Sequence, residues 1–185
     1  LVYLFDRYVD ERPDIHVGTF LSMAQSVSAG RGGICTFDDC LGSYLAVGPD
    51  GAIYPCQRFV GVAEYRLGHV TTPPSWHALG ETPAWRRLRA RQEAVATECS
   101  HCAYLSFCHG GCPYDALAAG HPLARDPHCI AYSRLFAHIT ERAVAEVLSP
   151  DNLRDVVDHP EQGPGLLRRG RLLSLMREEE EARSS

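Results

Sequence analysis

The sequence predicts an α+β fold, with a short β-hairpin set among helices, and three observations carry that expectation. Two apolar runs flank the turn residues Pro49-Asp50-Gly51; helical periodicity recurs at 82–95 and 129–148; and 8 cysteines fall within 185 residues.

Each element has a local cause. In "LVYLFDRYV" the apolar residues at 1, 4, 5, 8 and 9 keep helical spacing, and "RPD" at 12–14 ends that helix because proline breaks the hydrogen-bond ladder. "SAGRGG" at 28–33 reads as a hinge or linker. Within "YLAVGPDGAIYPC", Pro presets φ and Gly takes the positive φ of a turn, which makes a hairpin and puts Cys56 at a strand end. "TPAWRRLRARQEAV" predicts a helix over 82–95 with Thr82 as N-cap and Pro83 at its first position, delivering the chain to Cys99. One or two helical turns follow in "CPYDALAAG", ending at Gly120, and a long helix spans about 129–148 with residues 135, 136, 139, 143 and 147 on one face. Beyond 149 come a short helix, the breaker "PEQGPG" and "LLRRGRLLSLMREEEEARSS", a second helix or a partly disordered tail. No internal repeat is present.

Composition narrows the function. The formal charge is -5, and no basic stripe offers the footprint that nucleic acid requires. All 18 basic residues are Arg, which fits the codon usage of a GC-rich bacterial genome. No apolar run approaches the roughly 20 residues of a membrane span, and no signal-peptide pattern opens the chain. The expectation is a cytoplasmic protein with no membrane partner. The chain begins at Leu1 inside an amphipathic pattern, as a piece of something longer would.

The cysteines need an explanation as a set. Four of them crowd "CSHCAYLSFCHGGCPY", from Cys99 to Cys112. Disulfide frameworks belong to small secreted domains without a core. Zinc accepts Cys99-x2-Cys102, but the next pair, Cys108-x3-Cys112, follows after five residues, closer than paired zinc knuckles usually stand. The bacterial ferredoxin run C-x2-C-x2-C-x3-C-P has the same order as Cys99, Cys102, Cys108 and Cys112-Pro113, with three residues added in the middle. In that run the cysteine before Pro serves the other cluster. By analogy Cys112 joins Cys35, Cys40 and Cys56, while Cys129 completes Cys99, Cys102 and Cys108. Two four-cysteine sites leave no thiol over, and the pairing within each is a hypothesis at this point.

These residues carry a resemblance. Cys40-x10-Gly51-x4-Cys56, then Cys99-x2-Cys102-x5-Cys108-x3-Cys112, then a lone Cys129, resemble the SPASM domain, the C-terminal domain of radical SAM peptide maturases. The likeness spans about residues 35–130. It implies a hairpin and helices around two auxiliary [4Fe-4S] clusters behind a partial TIM barrel: the barrel's terminal helix and a linker in 1–30, the twin-cluster domain in 31–148, and a helical tail in 149–185. The first cluster would take Cys35, Cys40, Cys56 and Cys112, and the second Cys99, Cys102, Cys108 and Cys129.

The family's catalytic cluster uses C-x3-C-x2-C, and that spacing is absent here. The resemblance therefore places S-adenosylmethionine and a third [4Fe-4S] cluster on a barrel in the same or a separate chain, and this chain alone is not expected to be catalytic. Expected partners are that barrel, a precursor peptide and a flavodoxin- or ferredoxin-type electron donor. Sulfatase-maturing relatives carry Asp directly after the cysteine matching Cys56; Gln57 stands here and is no base near neutral pH. "GRGGIC", "YPCQRF" and "YRLG" are more similar to actinobacterial maturases of small ribosomal peptides. Two other readings use the same cysteines: a stand-alone ferredoxin-like electron carrier and a zinc-stabilised interaction module.

Several further residues have two readings. Gly110 and Gly111 either form a plain tight turn or let backbone NH groups reach cluster sulfides. Arg58 either offsets cluster charge or pairs with Glu64. Asp38 and Asp39 are turn formers or substrate contacts. His101 and His109 read as surface or supporting groups, Trp76 and Trp85 as core or lid, and Glu178 to Glu181 as a solvated helix face.

Overall fold

A computed structural model describes residues 1–11, 15–158, 170–174 and 176. It is a mixed structure of helices and one small sheet, divided into two compact units: residues Ile34–Cys129, and the described parts of Leu1–Gly33 and Ile130–Ser185.

All eight cysteines lie in the first of these units. Its centre is an antiparallel sheet in the order β1 (Ala46–Val47), β2 (Ala52–Tyr54), β3 (Gly68–His69), with Ala46 opposite Tyr54 and Ala52 opposite His69. The expected hairpin joins β1 to β2. Gly51 adopts φ +80 in the turn, where a Cβ would collide with the His69 ring, and the Asp50 carboxylate accepts the Ala52 NH at 3.1 Å. β2 is buried throughout and packs with Phe59, Tyr65, Leu67, Leu79, Ala84 and Leu88. The Phe59 ring lies 4.4 Å from Tyr65 and 5.4 Å from Tyr114, closing this core against the cysteine-rich segment.

Helices complete the unit. After α1 (Val2–Glu11) and α2 (Gly18–Ala29) of the other unit come α3, Trp76–Gly80, and α4, Pro83–Glu98. The Thr82 hydroxyl accepts the Trp85 NH at 3.2 Å, the expected cap. Buried Ala84, Leu88, Arg91 and Val95 form the inner stripe of α4. Short α5 (Leu105–Cys108) and α6 (Pro113–Ala118) follow, and Cys129 opens α7 (Cys129–Val147).

In the other unit α1 (Val2–Glu11) and α2 (Gly18–Ala29) pack with α7 beyond residue 129, and α8 (Pro150–Asp158) follows. Phe5 meets Phe20 edge-on at 5.6 Å, and Leu135, Phe136 and Ile139 are fully buried. Arg142 ties α7 to Asp6 at 2.9 Å and to Asp10 at 2.5 Å, while His138 Nε2 lies 2.6 Å from Asp6. Beyond Cys129 the body of α7 groups with α1 and α2, its buried apolar residues and this ion-pair network turned toward them. Among the described residues no helix is long and apolar enough to cross a membrane. The breaker at 12–14, "PEQGPG" and Glu178 to Glu181 lie outside the described residues.

Candidate metal centre

Four thiols meet at one cavity. Cys35 opens a 3₁₀ turn, Cys40 follows the Asp38-Asp39 bend, Cys56 leaves β2 and precedes the 3₁₀ turn Gln57–Phe59, and Cys112 caps α6. All four line a cavity of ≈ 740 Å³, together with Asp38, Asp39, Gln57, Arg58, Arg91 and His109. Burial pushes the Cys40 thiol up to about 11, and the neighbouring Cys35, Cys112 and Cys56 thiols add to the rise. Burial also raises Cys112, against which the backbone NH groups of Asp115 and Tyr114 and the Arg58 charge favour its thiolate. Arg58 donates to Cys112 Sγ at 3.2 Å and forks onto the Asp115 carboxylate at 2.6 and 2.8 Å. Its ion-pair partner is therefore Asp115 and not Glu64.

The remaining four thiols gather where the chain folds back on itself. The Cys99 NH donates to the last turn of α4, the Cys102 NH to the Cys99 carbonyl at 2.8 Å, and the Cys108 NH to the Tyr104 carbonyl at 2.8 Å. Cys129 is brought in by its own NH, donated to the Asp126 carbonyl at 3.0 Å. Burial raises the Cys108 thiol to about 11; the Gly110 NH works against this, while Cys129, Cys102 and Cys99 reinforce it. Arg125, 3.3 Å from Glu98, interacts with both Cys129 and Cys99.

All eight cysteines are free thiols. Eight soft sulfur donors suit zinc or iron-sulfur chemistry. Among the described residues, Asp115, Asp126 and His128 also bring three potential ligand atoms within 4.8 Å of one another.

Two buried residues escaped the sequence reading. Arg91, 3 % exposed, donates to the carbonyls of Gly110, Gly111 and Ala124, and Asp126, 1 % exposed, accepts the Cys112 NH at 3.0 Å and the His128 NH at 2.7 Å. The heptad-like spacing 84, 88, 91, 95 was the available signal for Arg91, since it places that arginine on the apolar stripe. Gly110 and Gly111 both take positive φ, and an added Cβ would overlap Val95 or Asp126, so packing demands them as well as any ligand. Asp38 and Asp39 act as turn formers and also line the cavity. His101 is exposed, whereas His109 faces the cavity. Trp85 packs against the core, but Trp76 is 66 % exposed and is no core residue: it starts α3 on the helix's outer side, with Leu79 turned inward.

Residues 35–103 match the SPASM family, described as an iron-sulfur cluster-binding domain. An uncharacterized protein of Archaeoglobus fulgidus is 32% identical over 104 residues, covering 55% of this chain and 24% of that protein. A serine-type anaerobic sulfatase-maturating enzyme of Klebsiella aerogenes is 32% identical over 110 residues, covering 58% of this chain and 25% of that enzyme. Native anSMEcpe with bound AdoMet superposes with a TM-score of 0.59 at 21% identity, over 76% of this chain and 39% of that one. A further anSMEcpe structure, with AdoMet and the Kp18Cys peptide, gives 0.58 at 22% identity, over 76% of this chain and 40% of that one. The SPASM match is thus confined to residues 35–103, the chain shares the anSMEcpe fold, and it spans about a quarter of the length of the curated relatives it matches.

Proposed function

We propose that this chain is the auxiliary-cluster part of a radical SAM enzyme that modifies a peptide. Cys35, Cys40, Cys56 and Cys112 hold one [4Fe-4S] cluster, and Cys99, Cys102, Cys108 and Cys129 hold another. On this reading residues 31–148 form the twin-cluster domain, residues 1–30 end a partial barrel, and 149–185 are an appended tail. The observation that carries the reading is the gathering of eight free thiols into two groups of four, one of them around a cavity of ≈ 740 Å³.

The clusters supply one-electron transfer when bound. With four thiolates each, neither leaves an iron open to substrate, so the domain relays electrons and scaffolds the peptide. The chain's own residues do the rest. Burial shields Cys99 and Cys112, Arg58 and Arg125 lend positive charge, and backbone NH groups of Gly110, Tyr114 and Asp115 donate to cysteine sulfurs. S-adenosylmethionine and a third cluster belong to the barrel, the precursor peptide enters beside the first thiol group, and a flavodoxin- or ferredoxin-type protein of the cytoplasm exchanges the electron. Exposed Tyr3 and Leu4 on α1, with Leu1 just before it, support packing against such a barrel.

Gln57 lines the cavity and offers an amide where sulfatase maturation is expected to need a carboxylate. The proposed substrate is accordingly a small ribosomally made peptide.

Anaerobic reconstitution with iron and sulfide tests the proposal. The expected result is about eight irons per chain with broad absorbance near 400 nm. One or two tightly held zincs without stable iron uptake would overturn it and leave a structural module. Full iron loading with electron transfer but no association with any barrel would favour the self-sufficient carrier.

A further inference from the structure

We propose that Arg91 is a positioning residue shared by both clusters: its buried guanidinium fixes the loop between Cys108 and Cys112 and supplies the countercharge that both thiolate groups face. The inference rests on the two-cluster reading above.

Arg91 reaches that loop from the middle of α4. Nη2 donates to the Gly110 carbonyl at 2.8 Å and to the Gly111 carbonyl at 3.1 Å, and Nε donates to Ala124 at 3.0 Å. Those two glycines, with His109, separate Cys108, of one thiol group, from Cys112, of the other. One side chain therefore sets the relative placement of ligands to both.

Its charge is not spent in doing so. The three acceptors are neutral carbonyls, and the adjacent Asp126 carboxylate directs one oxygen to the Cys112 NH and the other to His128. A buried cation among neutral partners is costly unless anions lie near. The opposite charges that Arg91 faces are Asp126 and the sulfurs of Cys112, Cys40 and Cys108, drawn from both groups. A thiolate-bound cluster becomes more negative on reduction, so a fixed cation nearby raises its potential. Arg58 and Arg125 touch one group each, Cys112 for the former and Cys99 with Cys129 for the latter. They serve as internal comparisons.

The experiment is a redox titration, followed by electron paramagnetic resonance, of the anaerobically reconstituted full chain and its variants Arg91→Gln, Arg91→Lys, Arg58→Gln and Arg125→Gln. Expected is a fall in both midpoint potentials for Arg91→Gln, a fall in one only for Arg58→Gln and in the other only for Arg125→Gln, and near-wild-type potentials for Arg91→Lys. If Arg91→Gln loses iron while Arg91→Lys keeps it with both potentials held, the charge is again what matters. Iron loss in both Arg91 variants, unchanged potentials in a fully loaded Arg91→Gln, or a shift confined to one cluster would overturn the proposal. Absence of iron uptake by the wild-type chain would sink the two-cluster reading itself, before any variant is read.

Discussion

The two thiol groups are alike in exposure and opposite in construction. Each has one buried sulfur residue, Cys112 or Cys99, one exposed, Cys35 or Cys102, and two between. Yet the Cys99 group draws three of its members from ten consecutive residues, held by hydrogen bonds within one or two turns. The Cys35 group is assembled from three segments, 35–40, Cys56 and Cys112, that meet only once the sheet, α4 and α6 have packed. Local turns determine the one; tertiary structure determines the other. The first is thus expected to bind metal early and the second to depend on the whole unit.

The strongest test of that contrast removes one ligand from each group. Cys129→Ala should cost about half the iron while the cavity-side cluster stays, and Cys112→Ala should do the reverse. Iron and sulfide analysis with spectra of the remaining cluster reads this directly. Loss of everything in both variants would mean that the two groups are not independent.

A smaller effect, but one that reaches both, is expected from Gly110→Ala. The residue has φ +74, and a Cβ would overlap Val95. Left-handed backbone costs about 1–2 kcal/mol outside glycine, and overpacking adds about 1–3 kcal/mol. A lowered melting temperature with a small fraction of the iron lost from each group is the expected outcome; an unchanged melt would show that the loop relaxes freely.

Smaller still is Thr82→Ala, which removes the α4 cap at a cost of about 1 kcal/mol. Because α4 carries Arg91 and Val95 under the shared loop, a denaturant titration should report lower stability with both clusters still loaded. Smallest is the change at Arg142→Met, in the unit without cysteines. The hydrogen bond from Arg142 chiefly holds Asp10 below its ordinary value of 3.8. That contribution is present above 3.8 and is lost as the pH falls through the lowered value. The difference in thermal stability between variant and wild type should therefore be visible at neutral pH, shrink in acid, and leave iron content untouched.

How much of this was legible in the sequence follows from what is local. The hairpin around Asp50-Gly51, the Thr82 cap and the span of α7 were readable because turn chemistry, capping and amphipathic spacing act within a few residues. α2 was not, because its buried residues include Ser22 and Ser26, so that burial there does not follow the apolar pattern. β3 is two residues long and shows no alternation. At the candidate centre the cysteines announced themselves by type and spacing. Arg91 and Asp126 did not: among the arginines of α4 only Arg91 is buried, and Asp126 lies in a loop whose acceptors become visible only when Cys112 packs against it.

The exposed member of each group has a practical outcome. Cys35 and Cys102 are the corners through which dioxygen would reach a cluster, and an iron lost there leaves an accessible thiol. Protein handled in air should bleach and then form covalent dimers through these two positions, dispersed by reductant and prevented by Cys35→Ser together with Cys102→Ser.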